Sequence, residues 1–504
     1  MSETTTARSR VTGPDLTSTA ASRATGPDPT STAPSRATGP DPTSTAPSRA
    51  ASPDPTPAPT PMPLAPQAAQ PAPPAPPVPT RSLLRGRDFQ LLWSAYSVSA
   101  IGSEVTVLAI PLAAAVLLGA SPLQMGLLAA AGTAPYVGFA LIVGAWIDRL
   151  PRRRPLLIAA DLVAAAALLT VPLAWLAGAL TVTQLIAVEL VVGVARVTFR
   201  PAYGAHLPDV VPERALTQAS ARLRASEATA MLVGPGLGGS LVQLITAPIA
   251  VLVDAVSFLV SATLIGKVRA PERVGHVPPP RRRLRQEIGE GLSHLWRDRR
   301  LRAIAGAAAN VNFFGLMVFA LLVVYLTREQ NFPPVMIAAV TVAGGVGSLA
   351  GALLAPRVAD RIGRGRTILL GSAVFGLGMI AFPAAHGPRW LVLTVLVANE
   401  IVVGVAIMLF DVNTSALVLM EVPREMLARV NSSLSTVTQG VKALGALSGG
   451  ALGTAFGLRP ALWVAAVGAT TTVLWTWFSP LRHREPSGQH SASAVPQPHD
   501  EPQA

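Results

Sequence analysis

Long apolar stretches dominate the chain between about residue 87 and residue 481, and short polar segments separate them. Each stretch has about 20 residues, the length that a helix needs to cross a hydrocarbon core of about 30 Å. The pattern therefore predicts an all-α membrane protein with twelve transmembrane helices. Helix 5 is the least regular, because Arg222, Arg224 and Glu227 occupy its first third. The predicted spans are 92–118, 123–147, 155–178, 182–205, 218–243, 246–266, 301–326, 334–357, 367–385, 391–414, 428–456 and 459–480.

The apolar pattern occurs twice. Residues 187–195 read AVELVVGVA and residues 398–406 read ANEIVVGVA, so Glu189 pairs with Glu400 at a spacing of about 211 positions. The same spacing relates later pairs of Gly, Phe, Pro and Leu residues, and it brings two Asp-Arg-x-x-Arg loops into register. Parallel repeats of this kind are typical of transporters whose halves move about a central site. We therefore predict two homologous six-helix bundles, at 87–266 and 301–481.

The segments outside the bundles have a different composition. Residues 1–86 are rich in Pro, Thr, Ser and Ala, with a 13-residue repeat that begins near Arg10, and residues 482–504 are similarly polar. Such segments bury too little apolar surface to offset the entropy of ordering, so both are predicted to be disordered tails. Residues 267–300 form a basic linker between the bundles.

Composition supports a membrane protein and narrows its chemistry. Hydrophobic residues make up 50% of the chain and charged residues only 13%. The chain contains no cysteine, so disulfides, thiolate nucleophiles and cysteine-based metal sites are excluded. The net charge of +13 would suggest a nucleic-acid partner in a soluble protein, but here the positive charges follow the membrane topology.

Arginines concentrate in the segments between helices 2 and 3, 4 and 5, 6 and 7, and 8 and 9, whereas the other loops hold only Arg328, Arg389 and Arg459. By the positive-inside rule, both tails and the central linker are predicted to be cytoplasmic. The Arg-Arg-Arg-Leu-Arg run of the linker is interpreted as attracted to anionic lipid headgroups rather than to nucleic acid.

Enzyme motifs are absent or misplaced. The GPGLGG sequence at residues 234–239 matches a dinucleotide-binding pattern but lies inside an apolar span with no preceding strand. The two lysines, Lys267 and Lys442, are not followed by Ser or Thr, which excludes a Walker A loop. The seven histidines lie in tails or near the ends of spans, so no metal site is expected. The sequence therefore predicts neither an enzyme nor a cofactor.

Two loops carry a family motif. The major facilitator superfamily has Gly-x-x-x-Asp-Arg-x-Gly-Arg-Arg between helices 2 and 3, and this chain resembles that family over about Arg87 to Arg482. Pro151 replaces the second glycine of the first copy, and Pro356 replaces the first glycine of the second. The resemblance implies two six-helix bundles and a loop latch that favours one access state. The matching positions are Gly144, Asp148, Arg149 and Arg152 in the first copy, and Asp360, Arg361, Gly363 and Arg364 in the second.

Helix 5 carries a second motif. Proton-driven drug antiporters of that superfamily have Gly-x-x-x-Gly-Pro-x-x-Gly-Gly there, and this chain has Ala230 at the first glycine, followed by Gly234, Pro235, Gly238 and Gly239. Residues 87–112 and 199–220 also resemble bacterial exporters of the enterobactin and macrolide efflux type. Small residues also let helices approach closely in lipid, so helix packing alone is the alternative interpretation.

Charged residues inside the membrane are costly and therefore functional candidates. Glu104 on helix 1 and Arg196 on helix 4 lie at similar depths, and the family resemblance implies that helices 1, 4, 7 and 10 line a central cavity. We predict a Glu104–Arg196 pair, with Glu104 as the proton carrier and a structural carboxylate as the alternative. Further proton or substrate candidates are Glu189, Glu400, Asn310 and Asn312, with Asn399 beside them, and the weaker Glu227, Asp254 and Asp411. Asp161 is expected to be structural.

The leading hypothesis is a monomeric, proton-coupled exporter of hydrophobic or amphipathic small molecules in a bacterial cytoplasmic membrane. The proton gradient would be its energy source. One alternative is a solute importer or facilitator of the same superfamily, although aromatic residues make up only 5% of the chain and give little support for sugar stacking. Another is a non-transporting membrane scaffold or sensor that uses the N-terminal tail.

Overall fold

The computed structural model describes residues 86–139, 143, 146–147, 150, 152–272 and 293–479. The two predicted tails and most of the predicted linker lie outside this part of the chain. The N-terminal half contains α1 (Arg87–Leu112), α2 (Pro122–Gly138), α3 (Arg154–Leu176), α4 (Val182–Val210), α5 (Leu216–Leu244) and α6 (Ala247–Gly266). The C-terminal half contains α7 (Arg299–Arg328), α8 (Pro334–Ile362), α9 (Arg364–Met379), α10 (Arg389–Glu421), α11 (Arg424–Phe456) and α12 (Leu458–Thr470).

Three helices extend beyond these bounds. A π-helical turn at Ala113–Leu117 continues α1, a short helix at Ala381–Ala384 continues α9, and another at Thr472–Trp477 continues α12. The described helices thus match the twelve predicted spans in number and order. Eight of them are long and apolar enough to cross a membrane by length and composition. The other four are α2 and α12, which are shorter, and α5 and α11, which carry charged residues.

Local sequence explains where several helices begin. Ser121 and Gln124 form a reciprocal capping box at the start of α2, and the Thr181 side chain accepts a hydrogen bond from the Gln184 amide at the start of α4. Asp298 accepts hydrogen bonds from the Arg300 and Leu301 amides at 2.7 and 3.1 Å, which caps α7. These caps satisfy amides that would otherwise have no partner within the helix.

The helix pairing repeats between the halves. In the N-terminal half α1 packs on α5 and α6, α3 on α4 and α6, and α2 on α4. In the C-terminal half α7 packs on α11 and α12, α9 on α10 and α12, and α8 on α10. Each pair in one half has its equivalent six helices later in the other, so the duplication predicted from the sequence is confirmed in three dimensions.

Two equivalent interfaces join the halves, α2 with α11 and α5 with α8. At the first interface, a Cβ atom added to Gly450 would lie only 3.0 Å from the Cα atom of Gly126. At the second, a Cβ atom on Gly239 would lie 2.2 Å from the Cβ atom of Ala338. Gly239 and Gly450 are 211 positions apart, so the two contacts are related by the repeat.

The buried core shows how the halves separate. We call the end of the bundles that holds Arg87, Gly266 and Arg299 the terminal face, and the other end the opposite face. Toward the opposite face one apolar cluster spans both halves, from Val105 to Ala469. Toward the terminal face the cluster divides into one in each half. The halves therefore share a continuous buried core toward the opposite face, whereas their buried apolar clusters are separate toward the terminal face.

Candidate functional site

A cavity of about 370 Å³ lies within the N-terminal half, with residues of all six helices, α1 to α6, in its wall. Its wall combines apolar and aromatic groups, such as Met231 and Phe258, with several charged side chains. An apolar pocket with a few polar groups is the usual form of a small-molecule site. The charged residues in its wall are Glu104, Asp161, Arg196, Arg200 and Glu227.

Arg196 on α4 is the centre of the buried charges. Its guanidinium attracts the carboxylates of Glu104 on α1, Glu189 on α4 and Asp254 on α6. Its Nη2 atom is buried and has no hydrogen-bond partner among the described residues. An unpaired buried donor in a cavity is costly, so Arg196 is available to a substrate or to a carboxylate that moves. Glu104 and Arg196 both lie in the cavity wall and interact electrostatically, but they form no direct ion pair in the described conformation, so the predicted pair stays a prediction.

The helix 5 motif holds Glu104 in place. A Cβ atom on Gly234 would lie 2.3 Å from the Cβ atom of Glu104, and one on Gly238 would lie 3.1 Å from the carbonyl oxygen of Val105. These glycines therefore allow α1 and α5 to touch at the depth of the carboxylate. Gly239 faces the other way, toward α8. The motif thus serves both the cavity wall and the contact between halves, and Pro235 is buried between these positions.

A second polar group lies nearer the terminal face. The Arg200 guanidinium donates to Glu227 Oε1 with Nη2 at 2.9 Å, and the Tyr96 hydroxyl donates to the same oxygen. The Glu227 side chain is 30% exposed and that of Arg200 62% exposed. This pair links α1, α4 and α5 at the mouth of the cavity, so Glu227 is structurally engaged as well as accessible.

Asp254 and Asp161 form a third element, deeper in the half. Asp254 is fully buried, and its Oδ1 atom accepts a hydrogen bond from Ser257 Oγ at 3.0 Å. Asp161 is also buried, and its charge repels that of Asp254. The Oδ2 atoms of both carboxylates have no hydrogen-bond partner among the described residues. Asp161, which the sequence analysis expected to be structural, also lines the cavity.

Glu189 and Glu400 occupy equivalent positions, as the repeat predicts. The Oε2 atom of Glu189 lies 3.2 Å from where a Cβ atom on Gly132 would be, and that of Glu400 lies 2.6 Å from where one on Gly344 would be. The Glu189 carboxylate on α4 thus packs against a glycine of α2, and the Glu400 carboxylate on α10 packs against a glycine of α8. Only Glu189 has a cation nearby, because the position equivalent to Arg196 is Ile407.

The structure does not bring the asparagine candidates to the charged cavity. Asn310 on α7 donates to Thr471 Oγ1 at 2.9 Å and accepts from Thr472 Oγ1 at 2.7 Å, which ties α7 to α12. Asn312 donates to the Ala308 carbonyl of its own helix at 2.7 Å. The wall of the charged cavity comes from the N-terminal half alone, so the expectation that α7 lines a central cavity stays a prediction.

The C-terminal half carries a charge-inverted counterpart of the Arg200–Glu227 pair. Asp411 on α10 is equivalent to Arg200 and interacts electrostatically with Lys442 on α11. Lys442 lies one helical turn beyond Thr438, the position equivalent to Glu227. Each half thus holds one pair of opposite charges at this depth, with the signs exchanged.

The switch-loop candidates are only partly placed. Gly144, Asp148 and Arg149 lie outside the described residues. Arg152 is exposed, as are Asp360 and Arg361 at the end of α8. Asp360 forms no ion pair with any other described residue, so the predicted pairing with a loop arginine stays a prediction.

Two further loop-motif positions have clear structural roles. Gly363 ends α8 with φ at +90°, a conformation that favours glycine. The Arg364 guanidinium at the start of α9 contacts the Met420 sulfur near the end of α10.

Tyr96, Arg200 and Lys442 were not predicted as site residues. Arg200 follows Arg196 by four positions, so both lie on one face of α4, and this spacing could have indicated it. Lys442 is one of two lysines in the chain and lies inside an apolar span. Tyr96 has no comparable signal, because its role depends on the packing of α1 against α5.

Comparison with known families decides the class of this fold. The model of the Major Facilitator Superfamily matches residues 92–397 and 305–501. This chain belongs to the major facilitator superfamily. It is therefore a multi-pass membrane transporter and not an enzyme.

Similar proteins include two kinds of bacterial efflux protein. Multidrug efflux pump Tap of Mycobacterium tuberculosis is 28% identical over 330 residues, which is 63% of this chain and 76% of that protein. Macrolide efflux protein A of Streptococcus pyogenes is 23% identical over 291 residues, 58% of this chain and 71% of that protein.

Solved structures of the same fold are more distant in sequence. The nucleoside transporter NupG is 13% identical with a TM-score of 0.61, covering 78% of this chain and 98% of that one. A bacterial homologue of the iron transporter ferroportin, in an inward-facing state, is 17% identical with a TM-score of 0.63 and the same coverages. These likenesses support the fold alone.

Proposed function

We propose that this chain exports hydrophobic or amphipathic small molecules in exchange for protons, by alternating access. The observation that carries the proposal is the cavity whose wall contains both Glu104 and Arg196. The Arg196 Nη2 atom has no hydrogen-bond partner among the described residues, and its charge interacts with those of Glu104, Glu189 and Asp254. Similarity to multidrug and macrolide efflux proteins supports export of drug-like molecules. The helix 5 motif, which seats Glu104, supports the same direction of transport.

The charges in the cavity supply a reason for coupling. When a carboxylate approaches Arg196, the ionised form of the carboxylate is favoured. When the carboxylate moves away from Arg196 into an apolar wall, its protonated form is favoured. Movement of α1 against α4 therefore alters the proton affinity of Glu104. In the proposed cycle Glu104 carries the proton, and Arg196 stabilises the Glu104 carboxylate after the proton has left. The apolar and aromatic wall holds the substrate.

The parted terminal face supports alternating access. Because the halves share a continuous buried core only toward the opposite face, we infer a conformation that is open toward the terminal face. From the positive-inside rule we infer that this face is cytoplasmic. An exporter in this conformation would load its substrate from the cytoplasm or the inner leaflet. We also propose that the proton gradient is its energy source, with no cofactor, and that the monomer is the transporting unit.

The test is transport by the full chain in reconstituted vesicles with an imposed pH gradient. Ethidium and a macrolide serve as probes, and Glu104→Gln is compared with Glu213→Gln, an exposed carboxylate outside the cavity. We expect gradient-driven probe movement in wild type and in Glu213→Gln, and loss of the pH dependence in Glu104→Gln. Normal coupling in Glu104→Gln would refute the role of Glu104, and movement of neither probe by wild type would refute the substrate class.

A further inference from the structure

A second cavity, of about 270 Å³, lies in the C-terminal half between α7, α11 and α12. It is separate from the charged cavity and its wall is almost entirely apolar. The small residues Ala305, Gly306 and Ala309 form its floor on α7, and Phe313 closes its inner end. Leu434, Val437 and Val441 on α11 form one side, with Trp475 beyond α12 on the other. We call it the α7 groove.

The α7 groove opens toward lipid rather than toward the centre of the molecule. The Trp475 ring packs against Gly306, because a Cβ atom added to Gly306 would lie 2.3 Å from that ring. Trp475 is nevertheless 41% exposed. Leu474, Trp477 and Phe478 beside it are exposed apolar residues. Trp296, at the rim of the groove, is 54% exposed. Tryptophans at this position are typical of the level of lipid headgroups.

The groove has a length suited to part of an acyl chain. From Ala305 to Phe313 the helix rises about 12 Å, close to the thickness of one leaflet of a hydrocarbon core of about 30 Å. An apolar groove of this length beside lipid would be filled by hydrocarbon, because its wall offers almost no polar partner for water.

Basic residues stand at the mouth of the groove. Arg297 and Arg299 are exposed and follow Trp296 directly, and neither pairs with an acidic side chain among the described residues. The carboxylate between them, Asp298, is occupied in capping α7. Arg300 is already paired with Glu421 at 2.7 Å. Two exposed cations therefore closely follow Trp296, a residue of the rim of the apolar groove.

The equivalent region of the N-terminal half is more polar. Ser226 on α5, equivalent to Val437, accepts a hydrogen bond from Trp93 Nε1 at 3.0 Å and lies 2.9 Å from Ser97 Oγ. These bonds tie α5 to α1, whereas Val437 belongs to the apolar wall of the α7 groove.

We propose that the α7 groove binds one anionic phospholipid from the leaflet on the terminal-face side. An acyl chain lies along Ala305, Gly306 and Ala309, and the headgroup phosphate binds Arg297 and Arg299. The bound lipid supports α7 and α12 at the edge of the moving half. This site is independent of the proposed export activity, because it shares no residue with the charged cavity.

Native mass spectrometry of the full chain in detergent tests the proposal, with equimolar phosphatidylglycerol and phosphatidylcholine as probes. Each arginine near an anionic lipid is worth about 1 kcal/mol, so we expect wild type to retain phosphatidylglycerol with at least about tenfold preference. Arg297→Gln with Arg299→Gln removes the preference, and Ala309→Phe, which fills the groove, removes the retained lipid. The control, Arg222→Gln with Arg224→Gln, makes the same charge change on α5, which contributes no residue to the α7 groove. We expect this control to retain the preference for phosphatidylglycerol.

Three results would overturn the site. Equal retention of the two lipids by wild type would remove the headgroup role. An equal loss in the α5 control would show attraction by general charge. Unchanged retention in Ala309→Phe would show that no acyl chain occupies the groove, and if that variant does not fold, the two arginine pairs still decide the headgroup contact.

Discussion

At the scale of single residues, the close approach of α5 to Glu104 is the most demanding contact in the charged cavity. Gly234 has no room for a side chain, because its Cβ atom would lie 2.3 Å from that of Glu104. Gly236, two residues later, has its nearest neighbour, Val342 Cγ2, at 3.5 Å. The same helix therefore offers a crowded glycine and a tolerant one.

We expect Gly234→Ala to displace Glu104 and to lower coupled transport at least tenfold, with a loss of stability of about 1–3 kcal/mol from overpacking. Gly236→Ala should remain within twofold of wild type. The measurements are probe transport in vesicles and thermal unfolding in detergent. Equal effects of the two substitutions would show that crowding at Glu104 does not govern activity.

Sequence alone identified Glu104, Arg196 and Glu189, because charges stand out in apolar spans and helical rise gives their depth. It did not distinguish residues of the charged cavity from polar residues elsewhere, since Asn310 was also a candidate but bonds to Thr471 at the end of α12. That distinction depends on helix rotation, which the hydrophobic pattern of a helix buried on most sides does not define.

At the scale of elements, the repeat explains why two interfaces join the halves. Gly450 on α11 and Gly239 on α5 are equivalent, and both meet a small residue of the other half. In lipid, helices associate through close packing of small residues, so these contacts hold the opposite face together. Sequence predicted the duplication, but the partners of each helix became clear only in the structure.

Gly450→Ala should loosen the α2–α11 interface, because its Cβ atom would lie 2.8 Å from the Pro122 carbonyl oxygen. We expect reduced transport and a lower unfolding temperature. Gly440→Ala is the matched control on the same helix, with its nearest neighbour, Val137 Cγ2, at 3.8 Å. Thermal unfolding that is lowered equally by both would contradict the assigned importance of this interface.

At the scale of the whole molecule, the N-terminal tail distinguishes a transporter from a scaffold. The tail lies outside the described residues, and the residues described in the cavity wall belong to the N-terminal bundle. We expect a chain lacking residues 1–80 to transport the probes at the wild-type rate in vesicles. Loss of transport by this chain, when it inserts normally, would favour a role for the tail in activity.

The two halves also differ in charge at equivalent depths. Asp411 occupies the position equivalent to Arg200 with the opposite charge, and its partner Lys442 lies one helical turn beyond the position equivalent to Glu227. Sequence predicted two bundles that move about a site, but which face is parted follows only from the division of the buried core.

The most direct test of alternating access measures both faces at once. The chain has no native cysteine, so spin labels can be placed at Ala221→Cys and Arg357→Cys on the terminal face, and in a second sample at Leu244→Cys and Val335→Cys on the opposite face. The distance between the two spin labels of each sample is measured by double electron–electron resonance in lipid nanodiscs, at neutral and acid pH, with and without ethidium. We predict that the terminal-face distance shortens as the opposite-face distance lengthens. Distances that stay constant, or that change in the same direction, would contradict the account.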